Sequence, residues 1–238
     1  MPATMPPPAR PSRTWMGSPI GKKLLTGVTG LLLVLYLLQH LYANLQVLGA
    51  DPQAVSKYAL LLQGFGPVLQ VIEAALALCF LAHIVAGVRV WLTNRRARAA
   101  GYAQYRRAGT PSRQTLASRT MAVTGLVLLA FLVLHVAYFR FGPGIAEGYV
   151  TYVGAEPVRH FERLVHERFR HGGYVLFYGV VMVLLGLHLS HGFWSAFQSL
   201  GWANDRGRRW LFRAGIGLSV LIAAGFLSIP LWIYFGGF

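Results

Sequence analysis

Five long apolar segments limit the folds available to this chain. They cover about residues 24–48, 67–92, 120–141, 173–198 and 212–235. Each has the roughly 20 residues that a helix needs to cross about 30 Å of bilayer hydrocarbon. A backbone surrounded by lipid must satisfy its hydrogen bonds internally, as a helix does. The sequence therefore predicts an all-α fold, an integral membrane bundle of five transmembrane helices within residues 19–238.

The charged residues agree with this fold and predict its orientation. Only 12% of the residues are charged, whereas soluble domains have about 25%. A soluble nucleic-acid-binding protein is therefore excluded, although 22 Lys and Arg against 7 Asp and Glu give a net charge of +15. Most basic residues lie in the N-terminal tail and in the loops after the second and fourth segments. The positive-inside rule then predicts a cytoplasmic N-terminus and an outside C-terminus, in a bacterial cytoplasmic membrane.

The tail and the cysteine content exclude two further classes. Residues 1–18 are rich in Pro, contain two Arg and have no acidic residue. They also lack the apolar core of a cleaved signal peptide, so we expect a flexible tail. The single cysteine, Cys79, excludes a disulfide framework and any Cys-based zinc or iron–sulfur site within the chain.

The sequence contains an internal repeat. Val-Thr-Gly-Leu occurs at 28–31 in the first segment and at 123–126 in the third, and a histidine follows the glycine by ten residues in both. The second and fourth segments share His-x-x-x-Gly, at 83–87 and 188–192. The chain therefore consists of two similar helix pairs followed by a fifth helix.

Four histidines lie deep in these segments, one on each of the first four. At about 1.5 Å per residue, His40 and His135 lie roughly 24 Å from the cytoplasmic end of their helices, and His83 and His188 about 14–15 Å. The depths predict two level pairs, His40 with His135 and His83 with His188. Polar side chains at such depth are costly and usually functional. The alternative is that each histidine is satisfied by a backbone carbonyl or a hydroxyl of a neighbouring helix.

Two level pairs of imidazoles suit two bis-histidine haems, because imidazole is a good iron ligand and helix bundles build cofactor sites from facing helices. Zinc fits less well, since each level offers two ligands rather than three or four. Gly87 and Gly192 lie one turn from His83 and His188, and they would let a flat macrocycle approach the backbone. The alternative is that these two, with Gly179 and Gly186, are helix-contact glycines.

Three short segments carry a family resemblance. They are HLSHGFWSAFQSLGW at 188–202, QHLYANL at 39–45 and HIVAGV at 83–88. Together they resemble the cytochrome b membrane-anchor subunit of succinate dehydrogenase and fumarate reductase, of the single-chain, five-helix, di-haem type. The resemblance covers essentially the whole chain after residue 18, including the helix count and the order of the histidines.

The resemblance implies a function and a set of site residues. The axial ligands of two haems b would be His40, His83, His135 and His188, with His40/His135 as the outer pair and His83/His188 as the inner pair. The subunit would anchor a flavoprotein subunit with FAD and an iron–sulfur subunit at the cytoplasmic face of the lipid bilayer. Electrons would pass between succinate or fumarate and a membrane quinone, with menaquinone favoured by this type.

Other residues are weaker candidates. Glu73 is the only acid well inside a predicted span and lies near the outer haem level. We expect it to contact quinone or to move its protons. The alternative is that its carboxylate only extends to the membrane surface. The loop at 156–171 has an amphipathic pattern and is expected to cover the outer haem from the membrane surface. Five basic residues are candidate partners of the haem propionates: Arg89, Arg140, His160, His166 and His171. The alternative for each is that it only reaches the membrane surface.

Two rival functions remain open. One is a different di-haem cytochrome, of the hydrogenase or nitrate-reductase type, against which the 188–202 segment argues. The other is a haem-free membrane anchor or transporter-like protein. Succinate chemistry itself is assigned to a partner chain, because this sequence has no dinucleotide-binding fingerprint and no cysteine cluster.

Overall fold

The computed structural model describes residues 18–96, 115–202 and 207–236. The expected flexible tail and most of the basic loop after the second segment lie outside these ranges. Within them, the chain forms seven α-helices: α1 Pro19–Leu45, α2 Ala54–Gln63, α3 Pro67–Arg96, α4 Leu116–Phe139, α5 Phe161–Phe169, α6 Gly172–Ser199 and α7 Arg208–Tyr234.

Five of these helices are long and apolar enough to span a membrane, which confirms that prediction of the sequence. They are α1, α3, α4, α6 and α7, with 24–30 residues each. Two have side-chain caps at their first turn. Ser18 accepts a hydrogen bond from the Gly21 amide at 3.0 Å, and Thr115 and Ser118 form a reciprocal capping box on α4. Such caps satisfy amides that have no partner within the helix.

The helices pack as a ring of four with the fifth helix outside it. Helix α1 packs against α3 and α6, and α4 packs against α6, whereas the contact between α3 and α4 is slight. Helix α7 covers α6 and α1, and the side chains of Val34, Leu189 and Ile222 form a core among these three. About 28% of the residues in the apolar stretches of α1 and α7 are buried, against 6% in α3 and α4. The ring is therefore open along the seam between α3 and α4.

The predicted helical bundle is confirmed, and one end of it also carries a short β-hairpin that was not predicted. Strands β1 Val150–Val153 and β2 Glu156–Arg159 form an antiparallel hairpin, with Val150 opposite Arg159. Gly154 turns the hairpin with a φ of 64°, a conformation that glycine adopts without a steric penalty. The β-branched and aromatic residues of β1 favour an extended backbone. These elements lie in the connection between α4 and α6, where the chain is too polar for a transmembrane helix.

The same end carries α2 and α5, which complete a cap over the bundle. The amphipathic pattern expected at 156–171 is confirmed for α5, which buries Leu164 and Phe169. A buried carboxylate joins the two cap helices, because Glu162 on α5 accepts hydrogen bonds from the amide and the hydroxyl of Ser56 on α2. We call the capped end of the bundle the upper end, and the end where α1 begins the lower end.

Candidate functional site: two histidine pairs

The four histidines lie on the four helices of the ring and meet in two pairs. His40 on α1 faces His135 on α4, with 5.9 Å between the ring centres. His83 on α3 faces His188 on α6, with 6.5 Å between the ring centres. In each pair the two helices stand opposite each other in the ring. The structure thus brings together the same pairs that the depths predict, an upper pair (His40 and His135) and a lower pair (His83 and His188).

The spacing within each pair is that of two imidazoles on opposite sides of one ion. Metal–imidazole bonds of about 2.0–2.1 Å place the two ring centres about 6 Å apart. Among the described residues, no group of three or more His, Cys, Asp or Glu side chains is arranged to hold a metal ion. Each level therefore offers two imidazole ligands, the number that a bis-histidine haem site would use.

Threonine hydroxyls hold both histidines of the lower pair. Thr29 Oγ1 lies 3.2 Å from His83 Nδ1, and Thr124 Oγ1 lies 3.2 Å from His188 Nδ1. Each hydroxyl already donates its proton to a carbonyl of the preceding turn, Thr29 to Leu25 at 2.6 Å and Thr124 to Thr120 at 3.1 Å. The hydroxyls therefore accept from Nδ1–H, and the lone pair of each ring is left on Nε2, as a metal ligand requires.

Glycines beside these threonines make room for the same rings. A Cβ on Gly30 would lie 3.2 Å from Cε1 of His83, and a Cβ on Gly125 would lie 3.4 Å from Cε1 of His188. The Thr-Gly step of the repeat is thus a seat for the histidine on the next helix of the ring. Sequence reasoning found the repeat but missed this role. The signal was present, because the repeat pairs one Thr-Gly with one His-x-x-x-Gly in each half of the chain.

The upper pair has no such repeated seat, as the surroundings of His40 show. Its ring stacks on Tyr36 of the same helix, with 5.4 Å between centres and 19° between planes, and contacts Phe226 of α7 at 5.6 Å. The Asn44 side-chain nitrogen donates to the His40 carbonyl at 2.7 Å and lies 3.4 Å from Nδ1. His40 is therefore positioned mainly by aromatic packing.

His135 lies among three aromatic residues. Its ring centre is 5.3 Å from that of Phe131 and 5.0 Å from that of Phe139, both on α4. The hydroxyl of Tyr178 on α6 lies 3.3 Å from His135 Nδ1. Sequence reasoning did not single out Tyr178 or Asn44. Their contacts with the upper histidines are not repeated in the other half of the chain, so the repeat does not reveal them.

The four glycines fall into two groups by what surrounds them. A Cβ on Gly179 would lie 3.6 Å from Leu227, and a Cβ on Gly186 would lie 3.2 Å from Ala223, so both glycines serve the contact between α6 and α7. A Cβ on Gly87 or Gly192 would meet no atom of the described residues within 4 Å. These two glycines, one turn from the lower pair, border open space.

Glu73 and Arg140 form an ion pair across the open seam. The guanidinium of Arg140 on α4 donates to both carboxylate oxygens of Glu73 on α3, from Nε at 3.2 Å and from Nη2 at 3.1 Å. Both side chains are about half exposed, with 59% of the Arg140 side chain and 44% of the Glu73 side chain accessible. The pair joins α3 and α4 near the upper histidines, where these helices otherwise scarcely touch.

The remaining candidates lie near the bundle ends. Arg89 is exposed on α3 below the lower pair. His166 on α5 is half-buried, and this burial together with Arg170 lowers its pKa. His171 is exposed at the start of α6. Roles of these residues toward haem propionates stay predictions.

Much of the 188–202 segment is explained by helix packing. Trp194 and Ala196 are buried, and a Cβ on Gly27 of α1 would lie 3.4 Å from the Ala196 Cα. A Cβ on Gly215 of α7 would lie 3.0 Å from the Phe193 ring. The segment thus holds the lower ends of α1, α6 and α7 together. Such close approaches need small residues.

Comparisons of the chain with protein-family models, with curated proteins and with solved structures find no match. The site's function is therefore argued from its own geometry and chemistry.

Proposed function

We propose that this chain is a multi-pass membrane protein that holds two haems b, one at each histidine pair. We further propose that it is the cytochrome b anchor subunit of a succinate:quinone oxidoreductase or a quinol:fumarate reductase. One observation supports the first proposal above all: two histidine pairs stand at different heights in one bundle, each with the spacing of two axial ligands. The second proposal is supported by the resemblance of the 188–202, 39–45 and 83–88 segments.

The residues present fit this cofactor. His40 and His135 would hold one haem and His83 and His188 the other, and when bound the two groups supply one-electron carriers through the bundle. The chain's own part is to keep each ligand nitrogen free and correctly aimed. Thr29 does this for the lower pair by accepting Nδ1–H of His83. The open space at Gly87 and Gly192 gives a flat ligand access to the backbone.

The charge distribution supports the proposed orientation. Eight basic residues of the described ranges lie near the lower end: Lys22, Lys23, Arg95, Arg96, Arg119, Arg208, Arg209 and Arg213. Six more lie at the upper end, where the six acidic residues of the described ranges offset their charge. The lower end would face the cytoplasm of a bacterium, and the capped upper end would lie outside. The flavoprotein and iron–sulfur partner subunits, which would carry FAD and the clusters, would dock at the lower end.

An absorption spectrum of the purified full-length protein tests the haem proposal. We expect reduced-minus-oxidised bands of b-type haem, with about two haems per chain. The absence of these bands would leave the haem-free anchor as the better description. Co-purification then tests the assignment to a complex, because a hydrogenase- or nitrate-reductase-type cytochrome would bring down different partner subunits.

Glu73 is our candidate for quinone contact and proton transfer, with a menaquinone as the preferred substrate. Since quinone reduction consumes two protons, replacing this acid by Glu73→Gln should lower quinone-linked turnover by about 100-fold or more if it transfers protons. Both haems should be retained. The matched variant Arg140→Gln breaks the same ion pair but keeps the acid, so a purely structural role predicts equal losses in the two variants. Wild-type turnover in Glu73→Gln would exclude a role in proton transfer.

A further inference from the structure

A groove lies on the outer surface of α4 and α6 at the upper end. It has a volume of about 750 Å³ and is lined by Leu134, Tyr138, Glu167, Arg168, His171, Gly173, Tyr174 and Phe177. Successive residues of a helix point about 100° apart, so Leu134 faces outward while His135 faces α1. The side chain of Leu134 is 59% exposed and that of Phe177 38%. The groove therefore opens toward the surroundings of the bundle and not toward the histidine pairs.

The groove is apolar below and polar above, where Arg168 supplies a positive charge. Leu134 and Phe177 lie deeper along their helices, and Arg168 and His171 lie at the upper end. The first turn of α6, with its positive helix dipole and without an acidic residue, also borders the upper part. A ligand that fills this groove would have a long apolar part and a negatively charged head.

Arg168 carries the positive charge of the groove. Its guanidinium carbon lies 3.2 Å from the ring centre of Tyr138 and 4.1 Å from that of Tyr174, between the two rings. Its Nε is buried and finds no hydrogen-bond acceptor among the described residues, and the ion pairs of those residues do not include it. A buried donor of a charged group is costly to leave unpaired, so an oxyanion would be bound favourably here.

The acid that borders the groove does not satisfy Arg168. The Glu167 carboxylate accepts from the Tyr149 hydroxyl at 2.5 Å and from Arg163 Nε at 2.7 Å. These two hydrogen bonds lower the pKa of Glu167. Its negative charge is compensated by Arg163, so among the described residues Arg168 has two aromatic faces but no carboxylate as a partner.

We propose that this groove binds one anionic phospholipid, with its phosphate on Arg168 and its acyl chains along Leu134 and Phe177. Basic pockets between membrane helices recognise lipid headgroups in this manner. A lipid fits better than a water-soluble anion, because the lower half of the groove is apolar and open. The inference rests on the membrane-spanning part of the proposed function and is independent of the haems.

Native mass spectrometry of the full chain in mild detergent tests the inference. The chain is titrated with palmitoyl-oleoyl phosphatidylglycerol and with the diacylglycerol of the same acyl chains. We expect the phosphatidylglycerol to bind at least tenfold more tightly. Arg168→Gln should remove this preference, whereas the control Arg170→Gln, an exposed residue at the end of α5, should keep it. Equal binding of the two lipids, or an unchanged preference in Arg168→Gln, would overturn the proposal.

Competition and labelling of the wild-type chain keep the test independent of how well the variants fold. Phosphate ions in hundredfold excess should not displace the lipid, and a photoactivatable phosphatidylglycerol should label peptides within 134–138 or 173–177. Displacement by inorganic phosphate or by an equimolar menaquinone, or labelling only elsewhere, would overturn the lipid assignment. A chain recovered in the aqueous fraction would overturn the membrane-spanning proposal itself, whereas a detergent-extracted chain without lipid preference overturns only this inference.

Discussion

The lower and upper histidine pairs use the same four helices but are held in different ways. Each lower histidine lies against a threonine and a glycine of the other helix in its helix pair. His83 of α3 lies against α1, and His188 of α6 lies against α4. Each upper histidine instead meets groups from several helices, such as Phe226 of α7 beside His40. The repeat thus keeps its symmetry where the contacts stay inside one helix pair, and loses it where the unrepeated α7 and the cap intervene.

This difference predicts that the lower pair is the more rigidly oriented one. A hydroxyl that already donates to its own helix accepts one defined proton from the imidazole, which fixes both tautomer and ring angle. The contact of Asn44 with His40 Nδ1 is longer, at 3.4 Å. The Tyr178 hydroxyl lies 3.3 Å from His135 Nδ1, but a tyrosine hydroxyl can donate or accept and so does not fix the tautomer. Substitutions that act on one pair and spare the other test this comparison.

Replacing a ligand should have the largest effect. In the proposed di-haem protein, His83→Ala and His188→Ala should each remove one haem, and so should His40→Ala and His135→Ala. The two members of a pair should lose the same haem, seen as the same missing potential in a redox titration followed by absorbance. Loss of different haems within one pair would contradict the pairing.

Removing a threonine hydroxyl should affect the lower haem alone. Thr29→Val keeps the shape of the side chain but leaves the Nδ1 proton of His83 without its acceptor. Loss of such a supporting hydrogen bond typically costs about 10–100-fold in metal affinity. We expect a weaker lower haem and an unchanged upper one, measured by haem retention during dilution. The control is Thr26→Val, one turn away on α1, whose hydroxyl donates to Lys22; equal losses in both variants would refute the seat.

Adding a methyl group to the glycine of the seat should have a smaller effect. The Cβ of Gly30→Ala would lie 3.2 Å from the His83 ring, which must move by a few tenths of an ångström, while Gly125→Ala at 3.4 Å from His188 is nearer to ordinary contact. Haem retention should fall more in Gly30→Ala than in Gly125→Ala. Gly217→Ala, which meets no atom of the described residues within 4 Å, should match the wild type, and the reverse order of effects would contradict the geometry.

The smallest effect concerns the cap above the upper pair and depends on pH. Hydrogen bonds from Tyr149 and Arg163 lower the pKa of Glu167 below its ordinary 4.5. The folded state then binds this proton less readily than the unfolded state, so the stabilisation is complete above that value and is lost as the pH falls below it. Because the group is exposed, we expect a small difference in melting temperature between wild type and Glu167→Gln at pH 7 that shrinks as the pH falls below 4.5. A constant difference across this range would contradict the assignment.

The spans and the histidine pairs were predictable because both depend on regular geometry. Apolar length marks a spanning helix, and residue counts along a helix give depth, so His40 and His135 could be paired without knowing any contact. The seats were harder to predict, since the depth of Thr29 on α1 says nothing about which way His83 on α3 turns. The partners of the upper pair have no repeat to reveal them.

The cap could not be predicted from hydropathy. The hairpin of β1 and β2 and the helix α2 lie in the connections between the long helices, where side-chain contacts such as Ser56 with Glu162 hold the structure together. The ion pair of Glu73 with Arg140 was missed for a similar reason, because Glu73 was considered only toward quinone and Arg140 only toward haem propionates. Contacts between elements that are far apart in sequence leave no periodic signal.

Each histidine pair takes one histidine from the first helix pair and one from the second, and this has a consequence for biosynthesis. The upper pair takes His40 from the first helix and His135 from α4, so it is complete once the ribosome has passed Phe139. The lower pair must wait for His188 and for α6, which ends at Ser199, although Thr29 and Gly30 are ready to receive His83 as soon as α3 has been made. The residues of the two pairs are therefore synthesised in a fixed order, with the upper pair complete first.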